Sequence, residues 1–441
     1  MANIIGIRRE DKNKWERRTP IVPNDAKTLI GEHNLDFIIQ SSTIRAYTDE
    51  DYGGIGARVS TAIDEANVIF AIKEIPISLL KPKKTYIFFS HTIKGQKGNM
   101  PMLQHILDTN ATLIDYEKIV DERGFRLIYF GNYAGYAGMI ETLWGFGQRI
   151  KTKKGIETPF LKLRHTYEYG GLEAAKKAVS KIGNEIKEEG IDADLVPLVI
   201  GFAGYGNVSQ GAQAILDLFP VIEIQPIDLQ DFFSSGDFSS NHLYKVVFKE
   251  EHMVMPRGDF AFDLQDYYDH GSEKYQGMFH EYFQYLSIMI NGIYWSNKYP
   301  RLLTKSFLRD VFSSKRDIKL QVIGDISCDI EGGIEATVKT TKPDNPFFVY
   351  NPVSGEAKLG LDGDGIPIMA VDNLPCELPH ESSTNFSKTL KPFIPIISSA
   401  DYTKPFDTLD LPPVIKDAVI AHQGHLTPRY AYLEENLSQA K

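Results

Sequence analysis

Leu198-Val199-Ile200-Gly201-Phe202-Ala203-Gly204-Tyr205-Gly206-Asn207-Val208-Ser209-Gln210-Gly211 is the stretch whose reading decides the fold. An apolar run enters a glycine pair, and a helical pattern leaves it. A short apolar run bounded by turn signals reads as a strand covered on both faces. Gly204 permits a tight turn, and Gly206 lets the backbone approach an anion. Tyr205, Asn207 and Val208 complete the turn, where the next helix presents free N–H groups and a positive dipole end. The usual third glycine falls at Ser209, which predicts a slightly wider helix–strand contact; Gly211 lies two residues on. A ligand-free βα turn shares the glycine pair, but a strand before and a helix after point to a dinucleotide site.

The same alternation extends in both directions. Upstream, Ile4–Ile7, Asp36–Gln40, Ala66–Lys73, Tyr86–Ser90, Thr112–Asp115 and Arg126–Phe130 read as strands, with a helix from Pro23 to His33. Ala134–Arg149 reads as a long helix whose Met139, Ile140, Leu143, Trp144 and Phe146 are core. Lys151–Phe160 reads as a linker. Gly171–Glu188 then forms an amphipathic helix, and strands at Val221–Gln225, Tyr244–Lys249, Leu286–Ile290 and Lys319–Ile323 continue the pattern. Two consecutive doubly wound α/β units are the economical architecture.

Composition bounds the function. The chain has 441 residues, 42% hydrophobic and 24% charged, which suits a globular protein of two or three domains. A net charge of −10 argues against a nucleic-acid binder. No apolar run approaches the ~18–20 residues needed to span a bilayer. The two cysteines, Cys328 and Cys376, read as free thiols in a reducing, cytoplasmic setting, with no signal peptide evident and no metal-ligand set.

Ionisable residues collect where the first unit's strands end. Lys73-Glu74 closes one run, and His91 closes another, followed by Lys94 and Gln96. Asp115-Tyr116-Glu117 closes a third. In open α/β sheets ligands bind at the carboxyl ends of strands, so these groups form a candidate acid–base site. A solvated lysine and a structural histidine are the plainer alternatives. Arg17 and Arg18 follow Trp15-Glu16; an arginine fork suits a carboxylate ligand, or an ion pair with Glu10, Asp11 or Glu16. In the dinucleotide unit, Val221-Ile222-Glu223-Ile224-Gln225-Pro226 ends in Gln225 where a ribose-binding acid is usual. Its absence removes a repulsion against a 2′-phosphate, favouring NADP(H) over NAD(H).

Several long motifs resemble the lysine–2-oxoglutarate reductase family, which forms saccharopine. They include Glu10-Asp11-Lys12-Asn13-Lys14-Trp15-Glu16-Arg17-Arg18, Lys73-Glu74-Ile75-Pro76 and Phe130-Gly131-Asn132-Tyr133-Ala134-Gly135-Tyr136-Ala137-Gly138-Met139. They continue through the 204–212 turn, Ile290-Asn291-Gly292-Ile293-Tyr294-Trp295, Pro300–Thr304, Asp325–Asp329, Val371–Pro375 and Pro413–Val419. The family is related to fungal lysine-forming saccharopine dehydrogenase and, more distantly, to alanine dehydrogenase and transhydrogenase. The chain is most similar to the reductase half of the bifunctional aminoadipic semialdehyde synthase and looks like a stand-alone reductase.

The resemblance implies two Rossmann-like, doubly wound domains facing a central cleft. One would comprise 1–132 plus 372–441 and bind substrate; the other, 133–371, would bind the dinucleotide. It implies Lys73 and His91 as the acid–base pair. Arg18, Glu74, Lys94, Gln96, Glu117, Arg126 and Asp372 would line the substrate site. Gly204, Tyr205, Gly206, Asn207, Val208, Gln225, Asn291, Ile293, Tyr294 and Asp325 would hold the cofactor. The implied reaction is NAD(P)H-dependent reductive condensation of lysine with 2-oxoglutarate. An alanine-dehydrogenase-like enzyme and a non-catalytic nucleotide-binding regulator are the competing readings. The expected partners are small molecules, with the chain a monomer or homo-oligomer.

Overall fold

A computed structural model describes residues 4–314 and 318–439. The chain divides into two compact units: Met1–Phe130 with Pro379–Lys441, and Gly131–Leu378. The return to the first unit thus comes at Pro379, later than the expected Asp372. The reason is packing: Val371, Leu374 and Leu378 are buried in the second unit's core with Ile140 and Leu143.

The first unit holds β1 (Ile5–Ile7), β2 (Phe37–Gln40), β3 (Arg58–Ser60), β4 (Val68–Phe70), β5 (Thr85–Phe88) and β6 (Thr112–Asp115). The second holds β7 (Val199–Ala203), β8 (Val221–Glu223), β9 (Leu243–Phe248), β10 (Val254–Pro256), β11 (Tyr275–Gly277), β12 (Ile288–Asn291), β13 (Val322–Asp325), β14 (Phe347–Tyr350), β15 (Ala357–Leu359) and β16 (Ile366–Met369). The chain then returns with β17 (Val419–His422) and β18 (His425–Leu426). The first sheet runs β18-β17-β6-β5-β4-β1-β2-β3; the second runs β15-β14-β16-β13-β12-β7-β9-β8, with β10 and β11 as a separate antiparallel pair.

β1 to β6 pair in parallel, as do β8-β9-β7-β12-β13-β16. The inner strands β4, β5, β6 and β7 are buried on both faces, which is why they read as continuous apolar runs, whereas the edge strands β3 and β8 are partly exposed. One edge of each sheet departs from that pattern. β17 runs antiparallel to β6, and β14 antiparallel to β16.

Three sequence expectations change. Arg126–Phe130 is not a strand: it makes one bridge, Val120 to Arg126, around a turn in which Gly124 has φ +82°. Its apolar residues serve packing instead, with the Phe130 ring stacked on Phe386 at 4.6 Å. The expected linker from Lys151 begins inside a helix, because Gly131–Lys154 is helical throughout. Lys151, Lys153 and Lys154 occupy its last turn, where cations complement the negative dipole end. The amphipathic helix is Leu172–Glu189, with Leu172, Ala175, Val179, Ile182 and Ile186 on its buried face.

Gly135 and Gly211 explain how the long helix meets the helix after the glycine turn, Asn207–Leu216. A Cβ at Gly135 would lie 2.1 Å from the Val208 carbonyl oxygen and 2.6 Å from the Ala212 nitrogen. A Cβ at Gly211 would lie 2.2 Å from the Asn132 carbonyl oxygen. Both obstacles are backbone, so neither can swing aside. Gly135→Ala is expected to destabilise the fold by at least about 1–3 kcal/mol in urea unfolding. Gly31→Ala is the control. Gly31 lies in the helix Pro23–His33 with nothing within 4 Å of its added Cβ, and the change should stabilise by up to about 1 kcal/mol.

Candidate active site

Because β1, β4, β5 and β6 are parallel neighbours, their carboxyl ends lie along one edge of the sheet. Arg8 to Glu10 leave β1, Lys73 and Glu74 follow β4, His91 follows β5, and Glu117 follows β6. Most of these residues group together from their places at the ends of apolar runs; Glu10 and Glu16 stand out in the sequence only as possible partners of the arginines.

Glu10 organises the β4 end. Its buried carboxylate accepts the Ile72 N–H at 2.6 Å and the Lys73 N–H at 3.0 Å. Burial, with the Glu16 charge, pushes Glu10 up to about 7, against those two donors and Arg8. Lys73 is half-buried. Burial and then the Arg18 cation push its ammonium below the usual lysine range, with Glu16 and Glu74 opposing. Among the described residues no hydrogen bond or ion pair reaches Lys73 Nζ.

Glu74 bridges two bases. One oxygen meets His91 Nδ1, and the other lies 3.3 Å from Lys12 Nζ. Burial alone would raise Glu74; the His91 hydrogen bond and charge and then Lys12 overcome it and hold the carboxyl at about 2. His91 sits at φ +52°, and its carbonyl accepts the Asn99 amide at 2.9 Å. Beneath it Phe89 packs with Tyr116, Phe130 and Phe386.

Arg18 does not form a surface pair. Its Nε and Nη2 donate to the two Glu16 oxygens at 2.8 and 2.6 Å, with both side chains buried. Its guanidinium also lies 4.2 Å from the centre of the Phe130 ring. At the β6 end, Asp115 accepts from the Ser90 N–H at 3.1 Å and the Glu117 N–H at 2.8 Å, and burial pushes it up to about 6. Glu117 pairs with half-exposed Arg126. Lys94 and Gln96 are exposed on the turn after His91, where Gly95 (φ +62°) admits Asn436. Asp372 belongs to the second unit, 3.5 Å from Lys342.

In the second unit Gly204 has φ +94° and donates its N–H to the Phe248 carbonyl at 2.9 Å. Ile293 packs against it, since a Cβ there would come within 2.9 Å of Ile293 Cγ2. Gly206 is the N-cap of Asn207–Leu216, has no side-chain cap, and faces open space where its Cβ would point. Those features fit a dinucleotide pyrophosphate, which the exposed N–H groups of Asn207 and Val208 would receive. Ser209 is fully buried, and the bare backbone of Gly292 lies against it: a Cβ there would lie 3.3 Å from the Ser209 nitrogen.

Asn291 and Asp325 are register partners on β12 and β13. Asn291 Nδ2 donates to Asp325 Oδ1 at 2.8 Å, Thr337 donates to the other oxygen at 2.5 Å, and burial pushes Asp325 up to about 6. Both are nearly sealed from solvent, so they shape the strand ends. Tyr205 and Tyr294 are exposed. The structure does not bring Gln225 to the glycine turn. It follows β8, the edge strand, and β9 intervenes. No disulfide joins Cys328 and Cys376, and the Cys328 thiol donates to the Ala370 carbonyl at 2.9 Å. Among the described residues no cluster of His, Cys, Asp or Glu is arranged for a metal, and no helix is long and apolar enough to cross a membrane.

The buried Arg18–Glu16 pair makes a direct test. Glu16→Ala leaves a buried guanidinium without its carboxylate and should cost roughly 3–5 kcal/mol in urea unfolding. A second test follows from Glu10, whose folded pKa lies above the unfolded value. Its stabilising share is full below pH 4.5 and lost as pH rises through about 7. The wild-type chain should therefore lose stability between pH 5 and 8 relative to Glu10→Gln, measured as the change in unfolding free energy.

Comparisons with known proteins agree with this architecture. Residues 6–137 match the family model "Alanine dehydrogenase/PNT, N-terminal domain", and residues 295–429 match "Alanine dehydrogenase/PNT, C-terminal domain". Alpha-aminoadipic semialdehyde synthase of Arabidopsis thaliana is 39% identical over 98% of this chain and 41% of its own length. The bovine protein of that name has 48% of its length covered, so the chain spans less than half the length of these two curated relatives. Saccharopine dehydrogenase [NAD(+), L-lysine-forming] of Yarrowia lipolytica is 25% identical over 87% of this chain and 89% of its own. A solved L-alanine dehydrogenase superposes with a TM-score of 0.62 at 15% identity, covering 99% of each chain, which shows a shared fold. By these matches the chain carries domains of the alanine dehydrogenase/PNT kind at residues 6–137 and 295–429, and it is homologous to the segment of alpha-aminoadipic semialdehyde synthase that it spans.

Proposed function

We propose that this chain is a lysine–2-oxoglutarate reductase, joining L-lysine to 2-oxoglutarate by reductive condensation to give saccharopine, in a reversible reaction. The observation that carries the reading is Lys73. It is a partly buried amine whose Nζ meets no ion pair or hydrogen bond among the described residues, one residue from Glu74, which holds His91. The names of two relatives, a semialdehyde synthase of the lysine-derived acid and an L-lysine-forming dehydrogenase, favour the substrates.

The chemistry needs a neutral lysine ε-amine. That amine attacks the ketone carbon of 2-oxoglutarate, and loss of the former ketone oxygen as water leaves an imine. Protons must leave the amine and reach the departing oxygen. Lys73, its affinity for a proton lowered by burial and by the Arg18 cation, gives one up more readily than an ordinary lysine and can take one back. His91 is held by Glu74 through Nδ1, which directs Nε2 to exchange protons. A reduced nicotinamide dinucleotide, when bound at the 204–208 turn, supplies hydride to the imine carbon. The proposed coenzyme is NADP(H), with NAD(H) the competing form. Arg126 and Arg18 are assigned to substrate carboxylates, Arg18 from a position set by Glu16. Glu117, Lys94, Gln96 and Asp372 stay in the proposed substrate set, and Asn291, Ile293, Tyr294 and Asp325 in the cofactor set. A cytoplasmic setting belongs to the same proposal.

The test is coenzyme oxidation with lysine and 2-oxoglutarate, together and singly. Oxidation should require both. Turnover with pyruvate and ammonia instead would identify an alanine-dehydrogenase-like enzyme. Coenzyme binding without oxidation under any of these conditions would identify a nucleotide-binding regulator. Lys73→Met and His91→Gln should each lower kcat by roughly 10²–10⁴-fold while coenzyme affinity, read by fluorescence titration, is retained. Normal turnover in either variant removes that residue from the proton path.

A further inference from the structure

The strand beside the glycine turn is β9, and it leads to a residue that sequence order hides. β9 pairs with β7 from Val199–Tyr244 to Ala203–Phe248, and the Gly204 N–H continues the ladder onto the Phe248 carbonyl. The next residue of β9 is Lys249. It is exposed, and its backbone is still extended at φ −95°, ψ 173°, so the strand alternation persists through it.

Alternation places Lys245, Val247 and Lys249 on one face of the sheet. That is the face covered by Asn207–Leu216: Lys245 Nζ lies 3.0 Å from Asp217, the C-cap of that helix, and Val247 packs into the same core as Val208 and Ala212. Four residues of strand span about 13 Å, and ten residues of helix about 15 Å. Lys249 therefore lies at the N-terminal end of the helix that Lys245 meets at its C-terminal end. A cation at a helix N-terminus opposes the dipole. Among the described residues no carboxylate pairs with the Lys249 ammonium. Glu250, the next residue, accepts from the Tyr268 hydroxyl at 2.8 Å, and Glu251 lies nearest His252 at 3.8 Å.

We propose that Lys249 reads the coenzyme, binding a phosphate monoester on the 2′-oxygen of its adenosine ribose. This rests on the dinucleotide reading of the 204–208 turn. The ribose of a dinucleotide held at such a turn is met by the end of the neighbouring strand. Here that strand is β9, so the residue at its end decides between the two coenzymes, and Gln225 does not. A dianionic phosphate gives the ammonium its partner and adds an anion at the positive end of the helix, so both unfavourable charge placements are relieved together.

The probes are adenosine 2′,5′-bisphosphate and AMP, which differ only in the 2′-phosphate, titrated into the full chain by calorimetry. Wild type should bind the bisphosphate more tightly. Lys249→Ala should lower the bisphosphate-to-AMP affinity ratio roughly tenfold, the usual worth of one charge-assisted hydrogen bond, and Lys249→Arg should retain it. A ratio unchanged in Lys249→Ala, or a wild-type ratio near one, overturns the assignment to Lys249 while leaving the dinucleotide site standing. Wild type that binds neither probe, nor NADPH or NADH, overturns the underlying reading of the turn.

Discussion

Parallel pairing in register is the constraint from which the candidate site follows. Once β6, β5, β4 and β1 hydrogen-bond side by side in one direction, their carboxyl ends must share an edge. Residues far apart in sequence, from Glu10 to Glu117, then become neighbours. Glu10 crosses from the end of β1 to the backbone of Ile72 and Lys73, so a single buried carboxylate ties two strand ends together. The candidate site is thus electrostatically coupled from within: Glu16 answers Arg18, Glu74 answers His91 and Lys12, and no ion pair among the described residues closes on the Lys73 ammonium.

The second unit solves a different problem, how to keep a helix N-terminus open and close to a strand. Gly204 supplies a backbone conformation that side chains disfavour, and Gly206 leaves space ahead of the helix. The helix itself is clamped from behind by backbone-to-backbone contact at Gly135 and Gly211. Glycines that look incidental in the long helix are therefore part of the support of the turn. On the strand side the bare backbone of Gly292 lies against Ser209, which stands where a third glycine is usual.

Charge placement distinguishes residues that support from residues that act. Asn291 and Asp325 satisfy one another and Thr337 inside the protein, so their polarity is used up in holding β12 to β13. Arg18 is likewise held, yet its pair is buried beside the proposed substrate groups, so it sets the local field as well as the geometry. Among the described residues Lys73 and Lys249 make no ion pair, and each points to chemistry for a different reason: one by its weakened hold on a proton, the other by its place against a helix dipole.

Periodicity in the sequence was enough for the α/β class, the glycine turn and most strands, because a strand covered on both faces must be apolar along its whole length and no other element is so short and so uniform. It was enough, too, to bring Lys73, Glu74 and His91 under suspicion, since they end such runs. Arg126–Phe130 misled because an apolar run packed among aromatic rings looks the same in one dimension as a strand. Gln225 misled because chain order suggested that β8 lies beside β7, whereas the sheet places β9 there. Which strands neighbour one another, which carboxylate faces which cation, and that Asp372 lies outside the first unit are settled by long-range hydrogen bonding and packing. Those forces act between residues tens to hundreds of positions apart, and a linear pattern carries no record of them.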